Sequence, residues 1–181
     1  MSATADALLL RQIRQDLPGF PDEVLREWIA PCARRNGWPP VAPVWLDILL
    51  GIPIVVWRAM RWTQEDRPLE WGHLSANSAR LVRNLYDAHF NRNPRPAIPV
   101  PEGGLERVQR ALVYLSDHGV MPGRIVVAEG PDGRLALADG YHRVTAYFVY
   151  RMMLAEPTIR ATLPPPVAEV NENQPMWVAR I

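Results

Sequence analysis

The sequence predicts an α+β fold, with a helical N-terminal extension over residues 1–95 and a mixed domain over residues 96–181. Three stretches carry that expectation. "LERVQRALVYLSDHG" sets Leu105, Val108, Leu112 and Leu115 on one helical stripe and ends on Gly119, where a helix C-terminus favours a left-handed residue. "RIVVAEGPDGRLALADG" places two β-prone runs, 124–129 and 134–138, either side of "GPDG", a strong turn signal. "YHRVTAYFVYRMML" is apolar nearly all round, as expected of a helix buried against a sheet.

The first hundred residues read as helices broken by proline. In "ADALLLRQIRQDL", Leu8, Leu9, Ile13 and Leu17 recur at helical spacing. "FPDEVLREWIAPCARRNG" opens on Pro21 with acids in its first turn, and Gly37 is a natural stop. The segment from Trp38 to Trp62 mixes proline with large apolar groups and is compatible with strand or buried helix. "SANSARLVRNLYDAHFNR" returns to a helical pattern through Leu81, Leu85 and Phe90. "NPRPAIPVPEGG" holds too many prolines for a regular element and marks the boundary between the two regions. Beyond the long apolar helix, "TIRATL" suggests one more strand, and the proline-led tail from residue 164 is expected to wrap the surface.

A chain of 181 residues with 48% hydrophobic content can bury a real core. Its formal net charge of +1 neither demands nor excludes a polyanionic partner. All 20 basic residues are arginine, so mechanisms that need a phosphate-binding or Schiff-base lysine are excluded. Cys32 is the only cysteine, which rules out an intramolecular disulfide and a thiolate metal cluster and suits a reducing compartment. The longest apolar run, "LLGIPIVVW", is far short of the roughly 20 residues that span a bilayer. The expectation is a soluble, cytoplasmic protein without membrane insertion.

The chemistry concentrates in "ADGYHR". A helix opening near Gly140 leaves its first N–H groups unpaired and carries partial positive charge there, which suits a phosphate. His142 and Arg143 stand in its first turn as side-chain donors, and Asp139 precedes it as a cap or a metal ligand. The same residues also suit purely structural duties, with Asp139 capping, Gly140 easing the turn, and His142 and Arg143 in solvent.

The succession of helix and glycine, hairpin, and a G-x-H-R turn opening the next helix resembles the ParB/sulfiredoxin superfamily over residues 96–163. The resemblance implies a nucleotide site whose phosphates meet the Gly140–Tyr141–His142–Arg143 turn. Two departures narrow it. Tyr141 stands where sulfiredoxin has its reactive cysteine, so sulfinic acid reduction is excluded. Only residues 144–181 follow Arg143, too few for the DNA-reading and dimerisation domains of chromosome-partition ParB. What remains is similar to a plasmid fertility-inhibition branch of the superfamily. That resemblance implies ATP binding and hydrolysis, DNA cleavage, and interference with DNA transfer through a type IV secretion system, acting on secretion or relaxosome components. In this reading Asp139, His142, Arg143 and Glu102 are catalytic, and Asp139 with Glu106 holds Mg²⁺. Glu102 and Glu106 stand four apart near a helix start, where they also complement the helix dipole. Two alternatives stay open: a small-molecule kinase of the free-serine type, and a non-catalytic inhibitor that binds a protein partner.

Other features weigh less. Arg80, Arg83, Arg92, Arg95, Arg107 and Arg110, with Tyr86 and Phe90 between them, form a possible DNA track or a solvated face. His73, His89 and His118 share no metal-ligand spacing, and His118 suits a helix C-terminus. Of seven tryptophans, six lie between Trp28 and Trp71 and point to a helical core or a docking surface.

Overall fold

A computed structural model describes residues 3–41, 43–90 and 103–180. The helices are α1 (Ala3–Asp16), α2 (Asp22–Val24), α3 (Ala30–Asn36), α4 (Val44–Ile48), α5 (Ile54–Ala59), α6 (Ala76–Phe90), α7 (Gly104–His118), α8 (Tyr141–Ala155) and α9 (Pro157–Arg160). Strands β1 (Arg61–Pro68), β2 (Ile125–Glu129), β3 (Leu135–Asp139) and β4 (Asn173–Arg180) form one sheet in the order β1-β4-β2-β3. β4 runs parallel to β2 and antiparallel to β1, and β2 and β3 form the expected hairpin. The architecture is therefore mixed α and β, as predicted. Among the described residues no helix is long and apolar enough to cross a membrane.

The sheet is filled from both sides. On one face Ile125, Val127, Leu135, Leu137, Met176 and Val178 pack against α6, α7 and α8. From Val144 to Tyr150 every residue of α8 is buried, because α6 and α7 flank it and the sheet lies beneath. On the other face Val126, Ala128 and Ala179 meet the N-terminal helices, whose core includes Ile13, Leu17, Trp28, Ile29 and Trp57. Trp28, Trp45 and Trp57 are buried here and Trp38 and Trp62 pack against them, which gives most of the tryptophan run to the core. A π-turn, Leu25–Ile29, joins α2 to α3. Pro31 follows it and has no N–H with which to continue an α-helical ladder.

Several expectations need correction. Residues 61–68 form strand β1 rather than part of a helical extension, so the sheet draws on both sides of the boundary placed at residues 95 and 96. The tail does not wrap the surface: β4 lies between β1 and β2. "TIRATL" is not a strand, since Pro157 opens the short helix α9, capped by the Glu156 side chain. In α7 the buried stripe is Val108, Ala111 and Leu115, with Leu105 turned outward. The helix ends at Gly119, as expected, with φ of 71°. A methyl group there would meet the Glu169 carbonyl oxygen at 2.2 Å, so the bare glycine lets the returning chain pass close on its way to β4.

Candidate functional site

Strand β3 ends at Asp139 and α8 begins at Tyr141, so the DGYHR stretch is a strand-to-helix junction at one end of the sheet. Gly140 makes the turn with φ of 100°. A Cβ there would lie 2.5 Å from Ile125 Cγ2, so its missing side chain faces the core beneath the turn. No side chain caps α8 among the described residues, and its first N–H groups have no intrahelical acceptors. Asp139 does not cap the helix; its Oδ2 accepts a 2.6 Å bond from Arg143 Nη2.

Arg143 is heavily committed. Its Nη1 donates to the carbonyls of Pro122, at 3.1 Å, and Arg124, at 3.0 Å, while Nη2 holds Asp139. The side chain thereby ties the loop before β2 to the start of α8, and it is only 18% exposed. Tyr141 is similarly engaged. Its hydroxyl donates to the Leu137 carbonyl at 2.5 Å, and burial pushes its pKa up.

His142 behaves differently. Its Nε2 is buried and has no hydrogen-bond partner among the described residues. Burial pushes the imidazole below its ordinary pKa, with Arg107 and Arg143 adding to the shift and Asp139 opposing it, so the site disfavours the charged ring. A buried ring nitrogen without a partner is costly unless a ligand or water completes it.

These groups line a cavity of about 420 Å³ whose other wall is α7. Arg107, Arg110 and Tyr114, three and four residues apart, stand on the face of α7 that looks across to the α8 start. Arg107 and Arg110 have no carboxylate partner among the described residues, so the cavity sets three arginines against one aspartate. Tyr114 stacks on His118 with ring centroids 4.0 Å apart, and His118 Nδ1 lies 3.0 Å from the Tyr114 carbonyl oxygen. A cationic wall facing a helix N-terminus favours an anion with several acceptor oxygens, a phosphate above all.

Comparison with family models, curated proteins and solved structures found no match to this chain. The site is therefore read from its own chemistry.

The structure brings Asp139, Gly140, Tyr141, His142 and Arg143 together, but not the glutamates. Glu106 is on the first turn of α7 and is not on the cavity wall. Glu102 lies outside the described residues, as do Arg92 and Arg95 and most of the expected boundary segment. Among the described residues no group of three His, Cys, Asp or Glu side chains is placed to hold a metal ion. With Asp139 paired to Arg143, the residues present do not fit a Mg²⁺ held by protein ligands alone. The remaining arginines of the expected DNA track divide between helices: Arg83 lies over the Trp71 ring on the α6 side, while Arg107 and Arg110 face the cavity.

Arg107 and Arg110 were visible in the sequence only as part of a diffuse basic run, and Tyr114 not at all as a site residue. The available signal was their three- and four-residue spacing beside the apolar stripe of α7. Glu27, in the π-turn, was also missed. Its charge is coupled to Arg143 and Asp139, and burial, Glu23 and Asp139 push its carboxyl up against the opposing arginines. No local feature of the sequence pairs that turn with residue 143.

Proposed function

We propose that this chain binds a nucleoside phosphate, ATP in the first instance, with its phosphates at the α8 start between Arg107, Arg110 and His142. The observation that carries this reading is the convergence in one cavity of an uncapped helix end, two arginines without carboxylate partners and a buried imidazole nitrogen without a partner, all among the described residues. The phosphates supply acceptors to the helix N–H groups and the two arginines, and to His142 Nε2 in the tautomer that protonates it. Any Mg²⁺ arrives with the nucleotide, ligated mainly by its phosphate oxygens. The nucleotide itself, rather than another phosphorylated ligand, rests on the ParB/sulfiredoxin resemblance.

The same resemblance, in its fertility-inhibition branch exemplified by Osa, extends the proposal to ATP hydrolysis and DNA cleavage that block DNA transfer through a type IV secretion system. Hydrolysis needs a group that orients water against the terminal phosphate. Asp139 is the carboxylate on the cavity wall, and one of its oxygens is held by Arg143. That pairing favours a second reading, nucleotide binding without turnover, in which the protein acts as an inhibitor through a partner.

Ligand-induced thermal stabilisation tests the binding: at about 100 times its Kd, ATP adds roughly 2.7 kcal/mol to the folded state. ATP should raise Tm in the wild type and not in the Arg107→Ala, Arg110→Ala double variant, and adenosine should raise it in neither. Phosphate release and plasmid nicking by the same preparations separate the two readings. Turnover abolished by Asp139→Asn supports the hydrolase, and binding without turnover supports the inhibitor.

A further inference from the structure

A second, roomier hollow lies at the opposite end of β3 from the α8 start. It has a volume of about 940 Å³, more than twice that of the phosphate cavity. Its floor is sheet, and its cause is a local choice of residue. Ala128 and Ala136 are direct cross-strand partners on the face covered by the N-terminal helices. Elsewhere that face carries Trp62, Val126 and Trp177, which fill the space beneath the helices, alongside Ala138 and Ala179. At Ala128 and Ala136 two methyl groups leave it open. Ile52 and Met60 wall one side and Ala76 stands at the edge. The mouth is framed by the hairpin turn, which its own bonds hold in shape: Gly130 N donates to the Arg134 carbonyl at 2.8 Å, and Arg134 N donates to Asp132 Oδ1 at 3.1 Å.

The charges around this hollow are paired to different degrees. Glu129 is held by Arg67 at 2.8 Å and by Arg180, and Arg134 has Asp132 at 3.8 Å. Arg180 in turn bonds Glu65 at 2.6 Å. Two acids and two arginines line the hollow, so its formal charges balance, with Glu129 and Arg180 tied into close ion pairs and Arg134 and Asp132 loosely paired in solvent at the turn. A cavity of this size with an apolar floor suits a ligand of drug-like dimensions held by its apolar surface.

We propose that this hollow is a second binding site, separate from the phosphate cavity, for a small uncharged molecule with an apolar body. The alanine pair makes the room, Met60 adapts to the occupant's shape, and the balanced charges at the rim give no net attraction for an anion or a cation.

The test is titration of the purified full chain with Nile red, an uncharged apolar dye, and with anilinonaphthalene sulfonate, its anionic counterpart. Wild-type protein is expected to bind Nile red saturably, with the anionic dye about tenfold weaker or worse. Ala136→Leu places an isobutyl group in the hollow and Ala76→Leu narrows it from the opposite edge; circular dichroism identifies which variants are folded. At least one folded variant should bind Nile red about tenfold more weakly than wild type. Equal binding in the folded variants, or a preference for the anionic dye, overturns the proposal. So does a dimer that carries no dye and that Ala136→Leu converts to monomer, since the occupant is then a second copy of the chain.

Discussion

Arg143 is the residue whose role changes most between sequence and structure. Its position in a G-x-H-R turn marks it as a phosphate ligand, yet its guanidinium already bonds two carbonyls and one carboxylate. Removing it strands Asp139 without its partner and frees the loop at Pro122 and Arg124. The cost of losing bonds from a mostly buried charged group is about 2–4 kcal/mol. Arg143→Ala is therefore expected to lower Tm by roughly 5–10 °C in a thermal melt, and a shift under about 2 °C would show that these bonds contribute little. Gly140 makes a companion case. Gly140→Ala combines a φ of 100° with a contact against Ile125 that cannot relax cheaply, and is expected to cost about 2–3 kcal/mol by chemical denaturation. A cost under about 0.5 kcal/mol would mean that the turn rearranges freely. The sequence showed that Gly140 and Arg143 mattered but not for what, because both act on partners 15 or more residues away: Ile125, Pro122 and Arg124.

Among the elements, β1 joins the sheet through its charges. Thr63, Glu65 and Arg67 share a face of β1, where Glu65, Arg67, Glu129 and Arg180 close a ring of alternating charge across β1, β4 and β2. The hydrogen bond from Arg180 is the largest influence on Glu65 and, with Thr63 and Arg67, holds its carboxyl at about 2, below the ordinary 4.5. A carboxyl whose folded pKa is depressed adds stability that is fully present above its unfolded pKa and is lost as pH falls from about 4.5 toward 2. Glu65→Gln should cost about 1–3 kcal/mol at neutral pH and flatten the acid limb of the stability curve in that window; parallel curves for the two proteins would show that the ring does not couple to folding. The same polarity hid this strand in the sequence. "RWTQEDRP" has no apolar alternation, because its stabilising contacts are ionic and lie on other strands. β4 was hidden by Pro175, which usually argues against an inner strand. Here Pro175 pairs with Asp66 of β1, and the ladder to β2 begins one residue later at Met176. In contrast α7, the β2–β3 hairpin and α8 were legible because each is specified locally, by a stripe, a turn and an apolar run.

At the scale of the whole molecule, the N-terminal helices and the C-terminal sheet form one packed body. Val126, Ala128, Ala179 and Trp177 lie on the sheet face that those helices cover. A fragment of residues 96–181 lacks β1, α6 and that cover, so it should show no cooperative melt and should expose its apolar face; a sharp two-state transition would restore the division into an extension and an independent domain. The candidate site has the same global character. Asp139 to Arg143 could be read from one short stretch, whereas the α7 wall needed the tertiary packing of two helices that the sequence separates by the hairpin. The central claim is that this wall and the α8 start together hold nucleotide phosphates. Isothermal titration of ATP with Mg²⁺ into the wild type and the Arg107→Ala, Arg110→Ala double variant tests it most directly. The account predicts saturable binding by the wild type and at least about a hundredfold weaker binding by a double variant that melts like the wild type, a loss of roughly 2.7 kcal/mol. Absence of binding by the folded wild type, or equal affinity in both proteins, would contradict it.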